Sequence, residues 1–359
     1  MLIYLLFLFL VISGSFLILK LLKYDVDYQF IFGMVRFKRG LDIIDKVANT
    51  KFSEYWSKFS YYVGFILMLI SIYLVYYGLF TTTPTLTPLV PGVQIHGIYF
   101  PIIPTLIAIF FAAFVHEFSH GVVFRKAKVT LKSWGIFFLG PFLGAFVEPR
   151  EEEIPKMKHK DQISAFNAGS AANVVLGIIA FGLLFLVNPI FSTTYKYTNV
   201  TILRTINNSP AYYANVSAGA ILLKIDNQSI HSIQDVSKVL SKMKPGDIIT
   251  LYTTKGVYKI KLGEKNGRPF IGIWMKQNYK ILNPPLFGIL SFLISLLGWI
   301  FIINLGIGIA NMLPIYPLDG GRLVYALLDS RGVDAEKYTK IISTIVLISV
   351  IINVLLNFI

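Results

Sequence analysis

Cysteine is missing from all 359 residues of the chain. Its absence excludes disulfides, thiolate metal ligands and cysteine nucleophiles, so any bound metal must rest on His, Asp or Glu. Charge is scarce too: 14% of residues are Asp, Glu, Lys or Arg, against about a quarter in a soluble globular domain. With 55% hydrophobic residues and a mean hydropathy of +0.65, the sequence reads as a membrane protein before any motif is considered. Acids are the scarcer sign, 19 against 33 bases, giving a net charge of +14. The bases flank apolar runs, which suits an anionic lipid surface and argues against a nucleic-acid partner.

A spanning helix needs about 20 mostly apolar residues. Six runs qualify: Met1 to Leu19, Phe59 to Phe80, Ile98 to Phe124, Ile163 to Leu186, Leu286 to Met312 and Ile341 to Phe358. The first lacks a basic start and a small-residue cleavage site, so it reads as a retained anchor. Lys and Arg crowd the loops 20–58 and 125–160 and are absent from Thr81 to Gly97. By the positive-inside rule the two basic loops are cytoplasmic, and Thr81 to Gly97 and Asn188 to Pro284 lie outside. This predicts a multi-pass protein of the cell membrane, with the lipid bilayer as its solvent.

Two stretches break the helical pattern. From Leu131 to Pro149 the chain is apolar but interrupted by Gly135, Gly140, Pro141 and Gly144, between two basic loops. A full span here would invert everything after it, so the expectation is a re-entrant hairpin dipping in from the cytoplasmic side. From about Thr193 to Lys280 the chain turns polar, with short alternating runs and turn signals at Pro245-Gly246-Asp247 and Asn266-Gly267, as in a small β-rich domain. Four Asn-X-Ser/Thr triplets, at Asn199, Asn207, Asn215 and Asn227, fall inside it and fit an exterior location. The predicted fold is a polytopic α-helical membrane protein of about six transmembrane helices and a re-entrant hairpin, with one small β-rich insertion. Its parts are 1–57 (anchor and cytoplasmic loop), 58–192 (first half of the membrane core), 193–280 (extracytoplasmic insertion) and 281–359 (second half of the core).

The sharpest motif is His116-Glu117-Phe118-Ser119-His120. On a helix, residues four apart share a face, so both imidazoles reach one ion. Glu117 follows the first of them, placed to act on a metal-bound water without ligating the metal. The motif lies inside an apolar run, about 12 Å below Arg125 at about 1.5 Å per residue, where ionisable side chains are costly and default to function.

A catalytic zinc takes three protein ligands, and the remaining histidines, His96, His159 and His231, fall in loops or in the insertion. Asp319 is the leading third donor, in a segment where Pro314 and Pro317 break the fifth helix and Gly320 and Gly321 allow a close turn. Its other reading is a cap on the helix that follows. Glu148, near the hairpin, is a competing acid.

The pair of motifs, His116 to His120 and Asn311 to Arg322, resembles the site-2 protease family of intramembrane zinc proteases, whose second motif has the form NxxPxxPLDG. The resemblance runs from about Pro101 to Arg322. It implies Zn2+ held by His116, His120 and Asp319, with Glu117 as general base. It also implies that Asn311, and by position Asn173, bind substrate or its oxyanion; helix–helix hydrogen bonding is the alternative for both. The family's Gly-Pro before that second Asn is Gly169-Ser170 here. The insertion resembles the PDZ domains carried by many members, with Ala218-Gly219-Ala220 in place of the usual Pro-Gly-Asp turn.

The implied function is peptide-bond hydrolysis in single-span membrane-protein substrates, including ones already trimmed outside, at a site towards the cytoplasm. A substrate helix must unwind before attack, and Gly144 to Val147, with Gly144 and Phe146 as the named contacts, is the expected edge for the unwound segment. An intramembrane metal transporter would string ligands along several helices, unlike this compact motif. A catalytically dead scaffold would be expected to lack a ligand or the base.

Overall fold

Apolar runs of about 20 residues bury their backbone polar groups best as helices, and the computed structural model follows that rule. It describes residues 2–95 and 97–358. Met1, His96 and Ile359, which belonged to the first span, the histidine inventory and the C-terminus, lie outside the described residues. Two compact units emerge, 1–185 with 292–359, and 186–291.

The larger unit begins with helix α1 (Leu2–Leu21), strands β1 (Val26–Gln29) and β2 (Phe32–Phe37), and helices α2 (Leu41–Ala48) and α3 (Lys51–Thr81). A short strand pair follows, β3 (Gln94–Ile95) and β4 (Ile98–Tyr99), and then α4 (Ile102–Lys126). Strands β5 (Leu131–Leu139) and β6 (Phe142–Pro149), a 3-10 turn over Glu151–Lys156 and α5 (His159–Ser192) complete its first half.

The smaller unit contains β7 (Tyr195–Thr205), α6 (Pro210–Tyr213), β8 (Ile221–Ile225), β9 (Gln228–Ser229), α7 (Ile233–Leu240), β10 (Ile248–Thr253), β11 (Gly256–Lys261), β12 (Gly263–Lys265), β13 (Arg268–Phe270) and β14 (Ile273–Ile281). The chain returns to the larger unit through α8 (Pro284–Asn311), α9 (Asp319–Asp329) and α10 (Ala335–Leu355).

Among the described residues, α3, α4, α5, α8 and α10 are long and apolar enough to cross a membrane, while the apolar stretch of α1, Leu6–Leu21, is shorter. Most of the residues that α3 buries are small, Ser53, Ser57, Ser60, Gly64, Ser71 and Gly78, beside Leu67, Met68 and Val75, as expected where close approach and hydrogen bonding replace a hydrophobic drive. Polar side chains tie the helices together. Asn353 on α10 donates to the Val75 carbonyl at 2.9 Å and accepts from the Thr85 and Leu86 amides at 3.1 Å. Arg125, at the end of α4, grips Asp45 of α2 through Nε at 2.5 Å and Nη2 at 2.9 Å.

The interrupted stretch 131–149 is a β-hairpin, β5 paired antiparallel with β6 from Leu139↔Phe142 to Leu131↔Pro149. It does not stand alone. Residues 26–37, expected as plain cytoplasmic loop, form the hairpin β1–β2 and extend it into a four-stranded antiparallel sheet of order β1-β2-β5-β6. Phe138 anchors the sheet, fully buried against Phe16 and near Phe9 and Tyr28. In that order β6 is an edge strand.

In the smaller unit the sheet runs β11-β10-β8-β7-β14, with β9 paired to β8. Its core is Val200, Ile202, Leu222, Ile225, Ile249, Leu251 and Ile260, all at 0–1% exposure. Val200 and Ile202, and Ile249 and Leu251, follow the period-2 alternation of half-buried strands, while Leu222 and Ile225 are three apart, across the register shift between β8 and β10. Helix α7 opens on a complete capping box. Ser232 Oγ accepts from the Asp235 amide at 3.1 Å and the Asp235 carboxylate accepts from the Ser232 amide at 2.8 Å.

Candidate metal centre

Helical spacing on α4 puts His116 and His120 on one face, both 7% exposed. Their Nε2 atoms lie 3.0 Å apart. Asp319 arrives from the start of α9, its Oδ2 3.1 Å from His116 Nε2 and 3.3 Å from His120 Nε2. The preceding turn presses it inward. A side chain on Gly320 would sit 2.3 Å from the Met312 and Leu313 carbonyls, and one on Gly321 2.4 Å from the Tyr316 amide. These glycines let the backbone fold onto itself and aim the carboxylate at the histidines. Asp319 does not cap α9: the N-cap position is Leu318, without a side-chain cap.

Three ligand atoms with sides of 3.0, 3.1 and 3.3 Å suit one small ion. Tetrahedral ligands at about 2.0–2.1 Å from zinc are about 3.3 Å apart. The tautomer of His120 suits it too. Its Nδ1 donates to the Ala165 carbonyl at 2.6 Å, leaving the Nε2 lone pair facing the other two donors. Gly169 on α5 gives both rings room, since a Cβ there would lie 2.4 Å from His120 Nε2 and 2.6 Å from His116 Cδ2. The residues present therefore fit zinc.

Glu117 is half-buried, and its Oε2 accepts the Val147 amide of β6 at 3.2 Å. A small apolar recess of about 130 Å³ adjoins it, bounded by Ile43, Phe114, Trp134, Ala145, Phe146 and Val147 among others.

The model of peptidase family M50 matches residues 104–353, well over half of the chain. The chain belongs to peptidase family M50. As an M50 peptidase it is a membrane metalloprotease, and zinc is the metal its relatives' names imply. It shares 28% identity over 313 residues with an uncharacterised protein of Methanocaldococcus jannaschii, covering 82% of this chain and 76% of that one. Two Staphylococcus aureus proteins, provisionally named zinc metalloproteases, are 21% and 20% identical over 273 residues. This chain spans 62% of their length, and the match covers 59% of this chain. Two PDZ domains of SdrC-like proteins are similar to part of it. The one from Listeria innocua is 29% identical with a TM-score of 0.21, covering 22% of this chain and 96% of that domain. The one from Listeria monocytogenes is 26% identical with a TM-score of 0.20, covering 22% and 90%.

The other residues singled out from the M50 sequence fall in different places. Glu148, the competing acid, is occupied elsewhere: its Oε2 accepts from Ser133 Oγ at 2.7 Å and lies 3.8 Å from Arg36 Nε. Asn311 is the half-buried last residue of α8. Asn173 is fully buried, its Nδ2 3.2 Å from His116 Nδ1, on the side of the ring away from Nε2. Gly144 is covered by the Phe137 ring, whose Cζ would be 2.3 Å from an added Cβ. Phe146 borders the recess beside Glu117.

Sequence reading missed Ala165 and Gly169 as parts of the site. It also missed the chain Trp56 Nε1 to Ser119 Oγ to the Ala168 carbonyl, two bonds of 2.8 Å that join α3, α4 and α5. The available signal was the run of small residues Ala165, Ala168 and Gly169 on one apolar helix.

Proposed function

We propose that this protein is an intramembrane zinc metalloprotease that hydrolyses peptide bonds of membrane-spanning substrates. The observation that carries the reading is the triangle of His116 Nε2, His120 Nε2 and Asp319 Oδ2, with Glu117 next to the first of them on the same helix. His116, His120 and Asp319 would hold zinc, which when bound would supply Lewis acidity towards a water and the scissile carbonyl. Glu117 takes a proton from the attacking water and returns it to the leaving amine. Asn311 is the remaining candidate donor to the developing oxyanion.

The substrate reading is supported by the edge of β6. A helix keeps its carbonyls internally bonded, so a substrate must be unwound, and strand addition to a sheet edge holds an extended segment. Val147 turns its amide away from β5 and towards Glu117, so a segment added there would pass the general base. The recess beside Phe146 would take an apolar side chain of that segment. The charge asymmetry of the loops supports an active site towards the cytoplasm and a β-rich domain outside, where it would favour substrates already trimmed to a single short stub.

The test is cleavage of a single-span substrate by the purified protein in detergent, with wild type, Glu117→Gln and a chelated sample compared. Wild type cuts, chelation stops it, zinc restores it, and Glu117→Gln keeps zinc while losing about 10²-fold or more in rate. Zinc bound with no cleavage of any substrate would reject the protease reading.

A further inference from the structure

Helices α4 and α5 are in register at the metal centre. His116 and His120 are four residues apart on α4, and opposite them Asn173, Gly169 and Ala165 are spaced by four on α5. Ala165 presents its carbonyl to His120 Nδ1, Gly169 opens the space between the rings, and Asn173 presents its amide to His116 Nδ1. One face of α5 thus backs both histidines.

The two backings differ in kind. The Ala165 carbonyl is a fixed acceptor, so it holds the proton of His120 on Nδ1. The Asn173 amide can offer His116 either a donor or an acceptor. With Nδ2 towards the ring it donates to Nδ1 and drives the ring proton to Nε2, the tautomer that cannot ligate. In that orientation Asn173 Oδ1 is buried without a hydrogen-bond partner among the described residues. A half-turn of the amide exchanges oxygen and nitrogen with no change of shape. It sets Oδ1 against Nδ1–H and frees the Nε2 lone pair, the arrangement that ligating histidines adopt.

We propose that Asn173 is a positioning residue that acts through His116, accepting its Nδ1–H so that Nε2 is free to ligate. The proposal rests on the zinc reading of His116. It assigns Asn173 a place behind the ligand ring, distinct from the contact with substrate that the sequence resemblance implied. Asn173 is at 0% exposure, so its contact with His116 is shielded from bulk solvent.

The test is zinc affinity of the full-length protein in detergent, measured by competition with a chelator, for wild type, Asn173→Asp and Asn173→Leu. Thermal unfolding of each metal-free protein reports packing separately. Asp keeps the acceptor and holds zinc within about threefold of wild type; Leu, near in shape with no acceptor, loses about 10- to 100-fold. Equal losses in Asp and Leu, tracking metal-free stability, would show a packing role and overturn the proposal. Unchanged affinity in Leu with a fall in kcat would place Asn173 on the substrate and also overturn it, leaving the zinc reading intact. Wild type that binds no zinc would remove that reading and this proposal together.

Discussion

The Glu117 carboxylate accepts a hydrogen bond from the Val147 amide, 3.2 Å away on the edge strand β6. The general base and the strand edge are therefore one assembly. Residues of a strand turn their amides alternately to either side. With Val147 pointing out towards α4, Ala145 also points out, while Gly144 and Phe146 face the β5 ladder.

Ala145→Pro removes an outward amide and leaves the β5 pairing intact. If substrate adds to this edge, cleavage falls at least about tenfold through lost positioning, with zinc content unchanged. Phe146→Pro breaks the ladder instead and lowers the yield of folded protein. Unchanged cleavage by Ala145→Pro would remove strand addition from the account.

Gly169→Val should abolish zinc binding without unfolding the helices. Even a methyl group at Gly169 would lie 2.4 Å from His120 Nε2, so the rings must separate and the donor triangle opens. Metal analysis with circular dichroism checks this: loss of zinc at constant helicity is expected, and full zinc occupancy would contradict the geometry.

In the β-rich unit, Ser232→Ala removes half of the α7 capping box and costs about 1 kcal/mol of local stability. Burial pushes the Asp235 carboxyl upward, but hydrogen bonds from the His231 and Ser232 amides outweigh it and hold the group below its usual value. A lowered folded-state value means that this stability is present above the unfolded value, about 3.9, and is lost as pH falls through the folded one. Amide-exchange protection factors across 233–240, taken relative to the intrinsic rate at each pH, should fall in the variant, and in wild type as the medium is acidified below about pH 4. Protection insensitive to both would show that the box does not hold the helix.

Deleting Tyr195 to Lys276 with a short linker tests the exterior filter. Loss of preference for trimmed over full-length substrate is expected, with cleavage of the trimmed one retained. An unchanged preference would reject the filter.

Five of the six expected spans appear among the described residues as helices long and apolar enough to cross, because bilayer thickness imposes a length and an apolar composition that sequence shows directly. His116, Glu117 and His120 were legible because helical spacing alone puts the histidines on one face. Asp319 needed the glycine pair and the prolines, whose backbone consequences sequence can show, although the 3.1 Å approach to His116 could not be read. Strands β1 and β2 were missed: the hairpin is held in the sheet by β2 pairing with β5, about a hundred residues away, and its short strands show no clear local period. Ala165 was missed for a plainer reason, since it acts through its carbonyl, which every residue has.

The most direct measurement is X-ray absorption at the zinc edge on the purified protein, with Asp319→Ala beside it. The account predicts one zinc with two imidazole nitrogens and oxygen ligands at about 2.0–2.2 Å, and loss of bound zinc in Asp319→Ala. Zinc with a different histidine count, or zinc retained unchanged in Asp319→Ala, would contradict it.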